Sequence, residues 1–453
     1  MNLPSKDQWT ENFWSANRLT IKGIVVGILI LVMLIPSAFI ANLVRERGER
    51  QDEIIKEVSS KWATAQNITG PILVVPYQVR IETKKVGSDN TVTEVEKLTK
   101  TAYILPEQLK INGEIFPEIK YRSIYNIAVY ASELNIEGNF ASIAGTALNI
   151  PEEDLLLNEA RLCLGISDFK GIEDQVTMEW NEQSLVFNSG LPDNDVLKNG
   201  LSVALPAGDI AASNRFKLKL RLKGSEKLSF TPVGKTTQVS LHSTWADPTF
   251  DGNFLPSEKT ITPEGFTASW KVQHLNRNYP QSWKEGRYNI DESAFWVGLL
   301  QPVDSYAKTM RSVKYAILFI ALTFALYFFV EILQKRAIHP VQYILVGMAL
   351  SIFYTLLLSI SEYLRFNAAY AIAAAATIIL ITLYTKSLFT TWKVAMLFGG
   401  LLSMLYGFIF ILIQLQDSAL IFGSIGLFVL LAIIMYYSRK IEWYAKPKPG
   451  ISA

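Results

Sequence analysis

The stretch "AIHPVQYILVGMALSIFYTLLLSISEYLRF", residues 337–366, decides how this chain is read. It opens on a histidine, runs through mostly apolar residues and closes on a glutamate and an arginine. His339 and Glu362 are either halves of one chemical site or the two edges of a membrane span. On a helix rising about 1.5 Å per residue, the interval between them covers roughly 34 Å. That matches a hydrocarbon core of about 30 Å. The two side chains therefore lie at opposite faces of the bilayer and cannot share a metal or a proton. Pro340 suits the first turn of a helix, so His339-Pro340 marks one edge of the span and Glu362 the other.

Working outward, further runs have the length of a span. Residues 24–44, "IVVGILILVMLIPSAFIANLV", stand alone, and 315–333, 367–385, 394–415 and 419–437 crowd around 341–361. This predicts six transmembrane helices, one N-terminal and five C-terminal. The first run is longer than a signal-peptide apolar region, and Phe39 occupies the third position before a cut after Ala41. It is read as an uncleaved anchor, with a signal peptide as the alternative. Lys335, Arg336, Lys386, Lys393 and the basic tail from Arg439 bias one side of the membrane, whereas the opposite short loops hold only Arg365. The positive-inside rule then puts both termini in the cytoplasm. The expected layout is a cytoplasmic segment 1–22, a span 23–44, an extracytoplasmic domain 45–311, a five-helix bundle 312–438 and a cytoplasmic tail 439–453. Lys308, Arg311 and Lys314 fall on the outer side, in a long domain to which that rule applies weakly.

Hydrophobic residues make up 50% of the chain, an average that blends a charged part with a part nearly free of charge. A net charge of +2 lacks the basic excess of a dedicated nucleic-acid binder. One cysteine, Cys163, permits no intramolecular disulfide, so the domain at 45–311 must rest on its core. Three histidines and no zinc, phosphate-loop, dinucleotide or nucleophile-elbow motif predict no metal and no cofactor.

The sequence after the first span places Ile54, Ile55, Val58 and Trp62 at helical spacing, so the helix continues, and Gly70-Pro71 is read as its stop. "FKLKLRLK", residues 216–223, alternates strictly: Phe216, Leu218, Leu220 and Leu222 on one face, Lys217, Lys219, Arg221 and Lys223 on the other. The basic face is either solvated edge protection or a surface for anionic lipid or envelope polymer. Further strands are expected at 72–82, 101–105, 121–131, 176–180, 201–205, 236–245 and 266–275. Glycine pairs such as "NG", "KG" and "DG" are read as turns between them, and a β-sandwich follows. The fold class is membrane α-helical with an inserted all-β domain.

Candidate site residues fall in three groups. Topology gathers Asp304, Glu362, Arg365 and Asp417 at the outer face as a polar cluster, the bland reading being a Glu362–Arg365 pair one turn apart. "HLNRNYPQSW", residues 274–283, mixes Asn276, Arg277, Tyr279 and Trp283, groups suited to a sugar or peptide but also to an ordinary structured loop. Gly399, Ser403 and Gly407 recur at four-residue spacing, the pattern of close helix packing. Glu331 is read as paired with Lys335. His242 and His274, on predicted strands near serines and aspartates, carry the only hydrolase reading. No charged residue stands near the middle of any span, which counts against an ion-coupled transporter.

"TGPILVVPY" (69–77), "RSIYNIAVY" (122–130), "PVGKTTQVSLHSTWADPTFDGNFLP" (232–256), "GFTASWKVQHLNRNYPQSW" (265–283), "LLQPVDSYAKTMRSVKYAILFIALTF" (299–324), the opening stretch and "SRKIEWY" (438–444) together resemble the CreD family of bacterial inner-membrane proteins. The resemblance runs in order over almost the whole chain from about residue 45. It departs at "LQDSAL" (415–420), where the family has an acidic pair followed by an aromatic. The resemblance implies a role in cell-envelope integrity, linked to a two-component regulon for envelope and β-lactam stress and to colicin tolerance, with no catalytic activity established. The expected partners are membrane lipids and an envelope polymer or a membrane-protein partner. The alternative is a transporter or lipid-handling protein using the C-terminal bundle.

Overall fold

In a computed structural model the described residues are 18–86, 91–142, 148–193, 195–206, 214–284, 288–299, 305–334, 336–389, 391–415 and 418–439. The apolar run at 24–44 lies inside one long helix, α1 (Arg18–Trp62), which continues as the spacing of Ile54, Ile55, Val58 and Trp62 predicts. Gly70-Pro71 does not stop it. That pair is a cis peptide inside the following strand. The helix ends at Trp62 because tertiary contacts capture the chain there. Asp168 accepts from the backbone N–H and the hydroxyl of Thr64, at 3.0 and 3.1 Å. Lys120 and Lys223 sit over the Trp62 ring, at 4.8 and 4.9 Å, a cation–π arrangement. Arg122 pairs with Glu57 at 2.9 Å.

The chain divides into two compact units: Asp52–Pro302, and Met1–Gln51 together with Val303–Ala453. The first unit is built from β1 (Gln66–Val86), β2 (Thr91–Ile104), β3 (Gln108–Arg122), β4 (Tyr125–Phe140), β5 (Arg161–Ile166), β6 (Thr177–Trp180), β7 (Gln183–Val186), β8 (Asn188–Ser189) and β9 (Gly200–Ala204). It continues with β10 (Asn214–Ser225), β11 (Lys227–Thr231), β12 (Thr236–Ser243), β13 (Thr249–Gly252), β14 (Glu258–Thr262), β15 (Gly265–Gln273), β16 (Ser282–Lys284) and β17 (Phe295–Gly298). A nine-stranded sheet runs β13-β17-β11-β1-β5-β9-β8, with β2 added along β1 and β16 along β2. An eight-stranded sheet runs β14-β15-β12-β3-β4-β10-β6-β7. Ile72, Leu164 and Phe230 of one sheet and Ile136, Leu218 and Val239 of the other belong to a single apolar cluster, so the two sheets share one core.

The alternation in "FKLKLRLK" translates directly into β10, whose apolar side chains are buried and whose bases are not. Three of those four bases meet acids. Lys219 and Arg221 pair with Glu133 at 3.1 and 3.3 Å, Arg221 with Asp174 at 3.1 Å, and Lys223 with Glu173 at 2.7 Å. Exposed pairs add little stability, but they cancel much of the field that would draw polyanions. Two expectations need correction. The strand expected at 121–131 is found from Tyr125 on, as the start of β4, whereas its first residues close the β3–β4 hairpin, turning at Ser123 with φ 56°. "NG" at 112–113 and "KG" at 223–224 lie inside β3 and β10 rather than in turns. A Cβ on Gly113 would meet Leu241 at 2.8 Å. Gly224 lies under the Tyr130 ring, whose hydroxyl donates to the Lys227 carbonyl at 2.9 Å. These glycines make room for bulky neighbours in adjacent strands.

The second unit holds most of α1 and the helices α2 (Ser305–Lys314), α3 (Ala316–Gln334), α4 (Pro340–Ser361), α5 (Phe366–Phe389), α6 (Trp392–Gln414) and α7 (Ala419–Ser438). Among the described residues four helices are long and apolar enough to cross a membrane: α1, α4, α5 and α6. A fifth is obtained if α2 and α3, bent by 42°, are one broken span. α7 contributes a shorter apolar stretch, Leu420–Ile433. Tyr306, Met310 and Val313 of α2 pack into the core of the helical unit, so α2 belongs with the helices rather than with the strands. His339 caps α4 with its Nδ1 accepting from Val341 N–H at 3.3 Å, and Pro340 takes the first helical position, so the opening stretch folds as its ends predict.

Candidate functional site

The helical unit contains a buried ionic knot. Glu331, near the end of α3, has a side chain only 8% exposed. Lys22 of α1 donates to its Oε1. The Ile338 N–H donates to the same oxygen at 3.0 Å, and the Tyr343 hydroxyl donates to Oε2 at 3.0 Å. Lys22 Nζ also donates to the Ile338 carbonyl at 3.0 Å. The carboxylate therefore fixes the α3–α4 connection and the start of α1 together. Lys335, its expected partner, lies outside the described residues, and the partner found is Lys22. Beside the knot the rings of Tyr343 and Tyr327 meet edge-on, and Tyr327 hydrogen-bonds Thr385 of α5.

Glu362, at the other end of α4, is arranged in the same way. It accepts from the Tyr306 hydroxyl at 3.2 Å and lies 4.0 Å from Arg47 Nε of α1. It makes no ion pair with Arg365, which is exposed and gives its backbone carbonyl to the first turn of α5. Asp304 and Asp417, the other members of the expected outer cluster, lie outside the described residues. Lys22 and Arg47 are separated along α1 by roughly 37 Å. Between them Met33 packs on Gly347 of α4, where a Cβ would come within 2.7 Å of the Met33 sulfur. The two ion pairs and this contact set the axial register of α1 against α3 and α4.

The small-residue stripe on α6 is used only in part. Gly399 is buried, and a Cβ there would meet Thr382 Oγ1 of α5 at 2.7 Å. Ser403 turns its hydroxyl back to the Gly399 carbonyl at 2.8 Å, and Gly407 has no atom within 4 Å of a built Cβ. Both are exposed. The packed face of α6 is aromatic instead, with Phe398 and Tyr406 buried against Tyr327, Phe319 and Phe353. On α5, Ala369 and Ala373 are both fully buried.

In the β unit, residues 274–283 form a packed knot. Arg277 is 7% exposed, and its guanidinium donates to the carbonyls of Val233, Tyr279 and Pro280 and to Gln281 Oε1. It also lies over the Tyr279 ring at 4.4 Å. Burial lowers its pKa, and the Tyr279 interaction works against that shift. The Tyr279 hydroxyl donates to the Pro232 carbonyl at 3.1 Å. Trp283 is buried and stacks on Tyr103. Asn276 closes a capping box with Gln273 over His274–Asn276. Three of the four expected ligand-loop side chains are thus buried within the domain, and Leu275 and Asn276 face solvent. The imidazoles of His242 and His274 hydrogen-bond no serine or carboxylate among the described residues. His242 is exposed in β12, between Glu114 and Thr267 in register.

A small cavity in the β unit is lined by Tyr103, Cys163, Asp193 and apolar neighbours including Ile72 and Leu197. The Tyr103 hydroxyl and Asp193 Oδ2 are buried without a hydrogen-bond partner. Burial, reinforced by the nearby Asp193 carboxylate, pushes the Cys163 thiol up to about 12. Sequence spacing gave no signal for this cavity, because its polar members come from three distant segments.

These two ion pairs, the helices they join and the two sheets all fall within the span of one family. Residues 18–444 match the family described as Inner membrane protein CreD. The Inner membrane protein CreD of Escherichia coli (strain K12) is 32% identical over 433 residues, covering 94% of this chain and 93% of that protein. The chain belongs to the CreD family of inner membrane proteins.

Proposed function

We propose that the protein acts without catalysis in cell-envelope integrity or envelope-stress tolerance, by binding a membrane partner, a lipid or an envelope polymer. It does so with six spans, both termini in the cytoplasm and the two sheets forming an extracytoplasmic sandwich. The observation that carries this reading is the use made of the charges that pair between helices of the helical unit. Lys22, Glu331 and Glu362 are engaged in holding helices together, the work of a scaffold rather than of a proton relay. The test is photocrosslinking in cells from the exposed Leu275, Tyr121 and Tyr363, alongside complementation of an envelope-stress-sensitive strain. Capture of one envelope component or membrane protein from these positions is the expected result. Capture of bulk lipid alone from all three would remove support for the reading.

A second reading, a transporter or lipid-handling protein, has one observation in its favour. The hydroxyls of Thr323, Tyr354 and Tyr406 are buried in the bundle without partners, and water in a conduction route would satisfy them. Reaction of a cysteine at Thr323 with a charged thiol reagent would favour this reading, and protection of that cysteine would count against it.

A further inference from the structure

We propose that α2 carries a binding site for the phosphate of an anionic phospholipid. The helix runs directly into α3 through Tyr315, with a 42° bend, and α3 carries no charge apart from Glu331. α2 therefore lies at the membrane edge, at the end of the bundle where Tyr306 meets Glu362. Its inner face is committed to packing, through Tyr306, Met310 and Val313. Its outer face carries a base at every third position: Lys308, Arg311 and Lys314. Lys308 lies over the Phe366 ring at 5.6 Å and donates to Gln414 Oε1 at 3.4 Å, and the exposed Arg365 is the residue before Phe366.

Charge balance gives the occupant. The nearby Glu362 is engaged with Arg47 and Tyr306. Arg311 and Lys314 are exposed and have no ion-pair partner among the described residues. A guanidinium with two ammonium groups at headgroup depth complements a phosphodiester, which Arg binds in a bidentate manner and Lys as a point charge. Bases next to a span are disfavoured on the side opposite the basic loops, and an anionic headgroup supplies the missing counter-charge. An interfacial helix with a packed apolar face and a basic polar face is built for this contact. Lys219, Arg221 and Lys223 of β10 do not compete as an explanation, since Glu133, Glu173 and Asp174 already meet them.

The inference deepens the proposed binding role and rests on its premise that membrane components are ligands. The test uses the full chain in detergent, with phosphatidylglycerol or phosphatidylcholine added, and native mass spectrometry reading the lipid retained. The wild type is expected to retain phosphatidylglycerol over phosphatidylcholine. Arg311→Gln with Lys314→Gln is expected to reduce that preference at least about tenfold, while Lys393→Gln at the other end of α6 leaves it unchanged. Inorganic phosphate is expected not to displace the lipid; if it does, the site takes free phosphate and the lipid assignment falls. Equal retention of the two lipids by the wild type would overturn the proposal whether or not the double variant folds, as would full preference in a folded double variant. Loss of lipid preference with intact complementation defeats the functional premise and leaves the site standing.

Discussion

Replacing Glu331 by glutamine tests whether the Lys22–Glu331 pair holds α1 in place. The carboxylate takes the Lys22 ammonium and the Ile338 N–H on one oxygen and the Tyr343 hydroxyl on the other. A glutamine offers one acceptor oxygen, so one of the two neutral donors is left facing an NH₂ group, at about 1–3 kcal/mol. Lys22 also loses its counter-charge, although at 23% side-chain exposure it recovers part of its hydration. We expect a loss of about 3 kcal/mol. Lys22→Met leaves an unpaired carboxylate only 8% exposed and is expected to cost about 3–5 kcal/mol. The double variant removes both charges and is expected to lose less than the sum, with a coupling of at least about 2 kcal/mol. The assay is a double-mutant cycle on unfolding in mixed micelles at rising dodecyl sulfate, followed by circular dichroism. Additivity within about 0.5 kcal/mol would refute the clamp.

Tyr370 donates to the Tyr406 carbonyl at 2.8 Å, whereas the Tyr354 hydroxyl is buried without a partner. Tyr370→Phe should therefore cost about 1 kcal/mol and Tyr354→Phe should be neutral or stabilising; equal losses in the same micelle assay would argue against that difference. Arg277→Lys cannot reach the separate acceptors at Val233, Tyr279 and Gln281 and should cost about 2–4 kcal/mol in denaturant unfolding. A loss below about 0.5 kcal/mol would return that arginine to the pool of ligand candidates. Burial alone would raise the pKa of Asp168, but donation from the N–H groups of Thr64 and Lys170 and from the Thr64 hydroxyl outweighs it and holds the carboxyl below its ordinary value. Its stabilising contribution is then full above the unfolded-state value of about 3.9 and is lost as pH falls through the folded value. The melting-temperature gap between wild type and Asp168→Asn should accordingly be full at neutral pH and shrink in acid, and a gap that widens on acidification contradicts the assignment.

Features that depend on neighbours in sequence were legible before the structure. β10 and the His339-Pro340 cap follow from alternation and from proline at a helix start, both local consequences of backbone geometry. The buried partners were not. Glu331 lies 309 residues from Lys22, and an i,i+4 lysine offered a nearer but misleading explanation. Glu362 was recognised as an interfacial acid, yet its cation came from α1 rather than from Arg365. The 274–283 segment has the composition of a binding loop, and composition cannot distinguish an arginine facing solvent from one saturated by carbonyls. Glycine misled for a related reason. Gly113 and Gly224 are required by side chains on neighbouring strands, a constraint that no window along the chain contains.

The burial of Cys163 has a practical consequence. It is the sole cysteine, 1% exposed, with its thiol held up to about 12, so at neutral pH it is protonated and sterically shielded. The native chain is in effect a silent background for thiol chemistry. Single cysteines at Tyr363, Trp392 or Leu275, all well exposed, can be labelled from either side of the membrane without first rebuilding the core. The sidedness of each loop, and with it the number of spans, becomes a direct reactivity measurement on an otherwise unaltered protein.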